Sequence, residues 1–238
     1  SAGFFTGKGL IDIEAFAAAA SPKLPPEQVL SHDILEGSLL NAGLVSDVAM
    51  TDGCPSGMGG WLDRLHRWIR GDWQNAPFLW NRTLPLTGLD KWKLLDNLRR
   101  SITPPACLLC LLLSSLFDWR TGQILSLSGL LAPVAGNLLA ALLALIHGGW
   151  LTLGGRYYSR VLPRAMGALT QAWYTLVMLP AAALSGIDAI VRAVTRLFTR
   201  RRMLEWTTAA QAEKRRSGWR ESLRRYWPTL LIAAFLLV

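Results

Sequence analysis

The chain has 238 residues, of which 51% are hydrophobic and only 17% charged, and it carries a formal net charge of +9. That length permits one or two domains, but the apolar residues are gathered in blocks, which fits a water-soluble globule poorly and points to membrane segments. The positive balance favours anionic partners, whether lipid head groups, nucleic acid or a nucleotide diphosphate, and composition alone does not choose among them.

Ser1 opens directly into GFFTGKG, with no basic stretch followed by an apolar run, so no signal peptide is read there. GLIDIEAFAAAA begins with β-branched residues and passes into an alanine-rich helical run, which SPKLPPEQ ends because proline cannot continue a helix. SHDILEGSLLNAG reads as a second helix, with Ser31 as N-cap, Ile34, Leu35 and Leu39 as an apolar stripe, and Gly43 as C-cap candidate. LVSDVAM is a strand candidate. After the loop TDGCPSGMGG, the segment WLDRLHRWIRGDWQNAPFLW shows helical apolar spacing through Trp61, Leu65, Trp68 and Ile69, which puts its polar residues on one face.

Residues 102–117 and 124–153 are almost uncharged and are separated by DWRTGQ. Their lengths approach that of a membrane span, and the short polar break makes them a transmembrane hairpin over 101–154. Lys and Arg lie before the first arm and after the second, so residues 1–100 and 155–228 are expected on the cytoplasmic side. Within 155–228, Ile187, Ile190, Val191, Val194, Leu197 and Phe198 interleave with Arg192, Arg196 and Arg200, the pattern of an amphipathic helix lying in the interface. A further span around 172–184 is disfavoured by its short length and Pro180. Residues 229–238 read as the start of a truncated transmembrane helix, and the chain as a piece of a longer polypeptide. Cys107 and Cys110 form a CxxC inside PPACLLCLLLSSLF with no second Cys or His pair nearby, so packing is expected rather than zinc; Cys54 is alone.

Three polar groups could carry chemistry. Asp33 begins a helix, where a carboxylate caps amides; it could also serve as a general base toward a hydroxyl. Arg64, Arg67 and Arg70 recur at i, i+3 and i+6 on one helical face. Such a stripe is either solvated or lipid-facing, or it clamps a diphosphate, because guanidinium forks match phosphate oxygens. Trp68 is either ordinary packing or a stacking surface for a sugar ring. His32 reads equally as a polar surface residue, and Asp72 as an ion-pair partner of an arginine.

The order FFTG, SHD, RLHRW, then apolar helices, resembles the C-terminal half of the catalytic domain in processive family-2-like glycosyltransferases such as cellulose synthase. FTGKGLIDIEAF, LSHDILEG, AGLVSD and HRWIRGDWQ, followed by WKLLDNLRRSI, are closer still to the glycosyltransferase region of bacterial cyclic β-1,2-glucan synthases. The resemblance covers nearly the whole chain. It implies an α/β, GT-A-like partial glycosyltransferase domain over 1–100, followed by α-helical transmembrane and interfacial helices. It also implies Asp33 as the catalytic base, Arg67 with Arg64 and Arg70 on the UDP diphosphate, and Trp68 with Phe5, Thr6 and Gly7 at the glucan acceptor. Arg64 stands where cellulose synthases have Gln, and His32 where they have Glu. Trp206, Thr207 and Thr208 follow the interfacial helix as a gating loop does in that family.

The implied activity is inverting transfer of glucose from UDP-glucose to a growing β-1,2-glucan, as part of a full-length multi-pass synthase of the bacterial inner membrane. Mg2+ or Mn2+ is implied, with ligands upstream and none in this chain, so the isolated segment is expected to be inactive. The partners are then nucleotide sugar, glucan, lipid and the remainder of the synthase, not nucleic acid. The rival readings are a non-catalytic membrane scaffold or remnant, and a transporter; the latter would need ionisable residues inside the spans, where there are almost none.

Overall fold

The structure, a computed structural model, describes residues 9–20, 22–24, 29–41, 43, 45, 47–49, 51, 53, 55, 57–146, 155–205 and 219–237. Phe5, Thr6, Gly7, Cys54, Trp206, Thr207 and Thr208 lie outside the described residues.

Every regular element among the described residues is helical, and none is a strand. In chain order the α-helices are α1 (Ile13–Ala19), α2 (Asp33–Leu39), α3 (Met58–Gln74), α4 (Gly88–Leu113), α5 (Trp119–Leu131), α6 (Ala135–Ile146), α7 (Gly155–Val177), α8 (Leu179–Thr199) and α9 (Trp219–Leu237). Short 3-10 turns follow α3 at Ala76–Leu79 and α4 at Ser114–Leu116.

The expected α/β, GT-A-like half-domain is therefore wrong for this chain, and local physics shows why. The β-branched start of GLIDIEAF joins a helix because the Asp12 carboxylate accepts hydrogen bonds from the amides of Glu14 and Ala15 at 2.9 and 3.0 Å. Those bonds satisfy two of the free N–H groups that open α1. In LVSDVAM, Val45 and Val48 are exposed, and no partner strand among the described residues takes up the backbone groups that a strand must pair.

The chain forms two compact units: residues 1–101 with 185–218, and residues 102–184 with 219–238. The first is organised around α2. Ile34 and Leu35 pack with Phe78, Leu84 and Leu94, and Leu39 and Leu79 close the cluster. Burying one such side chain contributes roughly 1.5–3 kcal/mol, enough to hold a helix too short to persist alone. Its ends differ from expectation: His32, not Ser31, is the N-cap residue, without a side-chain capping bond, and the helix stops at Leu39. Asn41 then takes the left-handed conformation (φ 54°) in place of Gly43, which the short amide side chain tolerates. Asp90 ties α4 to this core by accepting from Ser38 Oγ at 2.8 Å, Thr87 Oγ1 at 2.6 Å and Thr87 N at 3.0 Å. Burial pushes the Asp90 carboxyl upward, but these bonds outweigh it and the net shift is downward.

In the second unit α5 packs on the end of α4 through glycine. A Cβ at Gly129 would lie 2.8 Å from the Cys107 carbonyl oxygen, and one at Gly122 would lie 2.6 Å from that of Ser114. Cys107 is buried at this seam, Cys110 is half-buried, and both are free thiols. α6 packs against α7.

No single helix among the described residues is long and apolar enough to cross a membrane, so the expected transmembrane helices are not found as single helices. The first expected arm is the continuation of α4. The second is split into α5 and α6, bent by 65°, at a break containing Pro133, which lacks an amide hydrogen and crowds the preceding turn. Residues 161–177 and 179–199 are likewise bent by 63° at Met178, just ahead of Pro180 in the first turn of α8. Each bent pair has the length and composition of a span only when its two helices are taken together.

The close approach at Gly129 gives a contrast within one unit. Gly129→Ala is expected to cost about 1–3 kcal/mol by forcing α5 off α4. Gly167→Ala, in mid-helix with nothing within 4 Å of the new methyl, should stabilise by up to about 1 kcal/mol through helix propensity. Unfolding in mild detergent, followed by circular dichroism, distinguishes the two signs.

Candidate functional site

α3 carries the RLHRWIRGDWQ stretch, and its inner face is not the one its tryptophans suggest. Leu62, Ile69, Arg70, Gly71 and Gln74 are buried, whereas Trp61 and Trp68 are 42% and 47% exposed. Two polar side chains thus point inward, and two aromatic rings outward.

The contact that builds the site lies at Gly71. A Cβ there would sit 2.4 Å from Ser31 Cβ and 3.3 Å from the Ser31 amide nitrogen, so only glycine lets the SHD segment lie directly on α3. One turn on, Asn75 donates from Nδ2 to the Ser31 carbonyl oxygen. Sequence-distant SHD and RGDWQ are thereby joined, and Asp33 enters the field of Asp72.

Among the described residues Asp72 makes no ion pair with an arginine, contrary to expectation. Its Oδ1 accepts from Asn97 Nδ2 on α4 at 2.9 Å. Burial is the main cause that pushes its carboxyl up to about 6; the Asn97 bond and the charge of Arg100 oppose this, and the Asp33 carboxylate adds to it. Asp33 itself is half-exposed at the first residue of α2. Beside it His32 Nδ1 lies 2.9 Å from Glu36 Oε1 and 3.7 Å from Asp33 Oδ1. His32, Asp33 and Glu36 are the group among the described residues whose ligand atoms all fall within 4.8 Å of one another. The i, i+4 pairing of His32 with buried Glu36 accounts for that grouping, and no metal role is assigned to it.

The three arginines of the stripe occupy different environments. The Arg64 guanidinium lies 4.5 Å from the centroid of the Trp68 ring, a cation–π arrangement that covers one part of an otherwise open aromatic surface. Arg67 is half-buried, and burial followed by the neighbouring Arg64 charge lowers its pKa. Arg70 is buried, at 7% exposure, and its Nη2 donates to the Glu205 carbonyl oxygen at 2.7 Å. Gln74 Nε2 donates to the Met203 carbonyl oxygen at 3.1 Å, and Arg196 Nη2 meets Glu205 Oε2 at 3.0 Å. α3 therefore fixes the backbone of Met203 and Glu205.

A second tie joins α3 to α8: His66 Nε2 lies 2.8 Å from Asp188 Oδ2, which Arg192 Nε also approaches at 2.7 Å. Burial lowers the His66 pKa despite its carboxylate partner. Trp73 Nε1 donates to Ser101 Oγ at 2.9 Å. Sequence patterning did not single out Gly71, Asn75, Asn97 or His66. Only Gly71 carried a signal, since a glycine inside a strong helix costs about 1 kcal/mol and marks close backbone approach.

The joined SHD and RGDWQ segments belong to a sequence related to a glucan synthase. Over 222 residues, 91% of its length, the chain is 36% identical to the protein named Cyclic beta-(1,2)-glucan synthase NdvB of Rhizobium meliloti (strain 1021). It spans only 8% of that relative's length. No family model matches the chain. The resemblance carried by FTGKGLIDIEAF, LSHDILEG, AGLVSD and HRWIRGDWQ thus extends along most of the chain.

The upward shift of Asp72 has a consequence for stability. A folded pKa raised from 3.8 to about 6 means that ionising Asp72 opposes folding. Its contribution is full below pH 3.8 and is lost as pH rises through about 6. Two units correspond to about 3 kcal/mol. Asp72→Asn, which can still accept from Asn97, should gain up to that much over the wild type by pH 7 and nothing at pH 3.5. Paired unfolding curves at the two pH values measure the difference.

Proposed function

We propose that this chain supplies the acceptor-activating part of a membrane-associated inverting glucosyltransferase that extends a β-1,2-glucan from UDP-glucose. The reading rests on the similarity to a cyclic β-1,2-glucan synthase, and one structural observation supports it: Ser31, two residues before Asp33, is seated on Gly71 of the helix that bears Arg67 and Trp68.

In this mechanism a glucan hydroxyl is held with its ring on the exposed part of Trp68, a use of an aromatic face that needs no further ordering of the side chain. Asp33 removes the hydroxyl proton as the oxygen attacks the anomeric carbon of the donor; the bond to UDP breaks and the configuration inverts. Arg64 and Arg67 meet the diphosphate, where charge grows as UDP leaves and preorganised cations help most. Arg70 adds its charge from beneath while holding the Glu205 carbonyl. A divalent ion, held by residues of the synthase outside this chain, would neutralise the diphosphate further.

The membrane part of the proposal is supported by an inversion of the usual burial pattern. On α8, Ala189 and Ala193 are fully buried while Ile187, Val191 and Phe198 are 44%, 57% and 85% exposed. The exposed positions fall on one helical stripe, with Arg192 and Arg196 turned away from it around the helix. In the second unit Ala141, Ala165 and Ala172 are buried while Leu139, Leu142, Met166 and Trp173 are exposed. Small residues inside and large apolar ones outside suit a protein whose surroundings are lipid.

The test uses the full-length synthase in membranes. Asp33→Asn should lower glucan synthesis by at least about 10²-fold, with unchanged abundance in the membrane fraction. Wild-type turnover by that variant would remove Asp33 as the base. Arg67→Lys, harmless if α3 serves only as a scaffold, should also reduce turnover, since a point charge does not reproduce the guanidinium fork.

A further inference from the structure

We propose that a cleft in the first unit binds an anionic phospholipid, with its acyl part against Trp73, Trp80, Leu197 and Phe198 and its phosphate on Arg200 and Arg202. The inference rests on the reading that the outward stripe of α8 faces lipid, and it adds a headgroup preference to that reading.

The cleft is lined by the end of α3, the 3-10 turn after it, the end of α8 and the residues that follow. Its volume is about 1030 Å³, at the upper end of small-molecule sites, which span roughly 300–1,000 Å³. Part of the lining is aromatic. Trp73 is fixed there by its Nε1, which donates to Ser101 Oγ at 2.9 Å, whereas Trp80 is 76% exposed. Leu197 and Phe198 of α8 add aliphatic and aromatic surface. Phe198 also belongs to the outward stripe with Ile187 and Val191, so the apolar lining of the cleft continues into the surface that meets lipid in that reading.

Arg200 and Arg202 supply the charge. Both are exposed and both line the cleft, and neither forms an ion pair with a carboxylate among the described residues. Their backbones are left-handed, at φ 52° and 54°, where glycine or asparagine is the usual residue. The acidic residue of the lining is Glu205. Its carboxylate meets Arg196 Nη2 at 3.0 Å, which offsets its repulsion of an anion. A guanidinium fork matches two phosphate oxygens, and arginines near a bilayer surface favour anionic headgroups. A free phosphate would leave Trp80 and Phe198 uncovered, and a lipid without net charge would leave the positive charge uncompensated. An anionic phospholipid satisfies both halves of the cleft.

The experiment places a photo-crosslinking side chain in the full-length synthase, as Phe198→benzoylphenylalanine and separately as Val191→benzoylphenylalanine, in vesicles of phosphatidylcholine and phosphatidylglycerol. The Phe198 probe should capture phosphatidylglycerol severalfold over phosphatidylcholine, and the Val191 probe should take the two in proportion to their amounts. Arg200→Gln with Arg202→Gln should abolish the preference at the Phe198 probe, while Arg200→Lys with Arg202→Lys should keep most of it. Lipid captured at the Val191 probe with no preference at the Phe198 probe overturns the cleft as a site and leaves the reading of α8 standing. No lipid captured at the Val191 probe overturns the reading of α8 itself. A preference that survives the glutamine pair overturns the two arginines as the phosphate site, and one that inorganic phosphate removes shows a free-anion site and overturns the phospholipid.

Discussion

Ser31 and the backbone of α3 at Gly71 meet so closely that no side chain larger than hydrogen fits between them. The rest of the candidate site depends on this contact. α2 is seven residues long, too short to be stable from its own hydrogen bonds, and Asp33 at its first position would otherwise be set by a loop. Leu35 in the core anchors α2 from below. Gly71 and Asn75 fix the segment before it from the side. A segment clasped by a 17-residue helix is held more narrowly than a free loop, which is what the proposed role of Asp33 as a general base requires.

The same helix reaches in the opposite direction. Arg70 and Gln74 face inward and hold the carbonyls of Glu205 and Met203, while His66 engages Asp188. Arg70 and Gln74 each make a bond to one of these carbonyls, while Arg70 Nε and Gln74 Oε1 are buried with no partner among the described residues; the two carbonyl bonds tie the turn after α8 to α3. The outward side of α3 includes Trp61 and Trp68, with Arg64 over the Trp68 ring. The polar side chains are thus divided: part of them builds the unit, and part faces outward.

Much of the site was legible in the sequence because its motifs are local. SHD and HRWIRGDWQ stood out by composition, and the helix that carries the second was readable from its spacing. What periodicity could not give was the rotation of that helix. Trp61 and Trp68 look apolar to a pattern and lie outside, while Arg70 and Gln74 look polar and lie inside, because their long-range carbonyl partners more than 120 residues away decide their burial. The α/β expectation failed for a related reason. It came from resemblance, and short β-branched runs fit it, but a strand exists only with a partner, and an aspartate placed to cap amides turned one of those runs into a helix. The membrane hairpin was likewise read from composition, which is blind to the bends at Pro133 and ahead of Pro180.

A double-mutant cycle between Ser31 and Gly71 tests the central contact most directly. Gly71→Ala introduces the methyl that meets Ser31 Cβ, and Ser31→Gly removes that Cβ, so the pair should be strongly coupled. The account predicts that Gly71→Ala alone destabilises the protein by about 1–3 kcal/mol and suppresses glucan synthesis, and that adding Ser31→Gly recovers most of both losses. Strictly additive effects, with the double variant no better than Gly71→Ala, would contradict the seating of the SHD segment on α3.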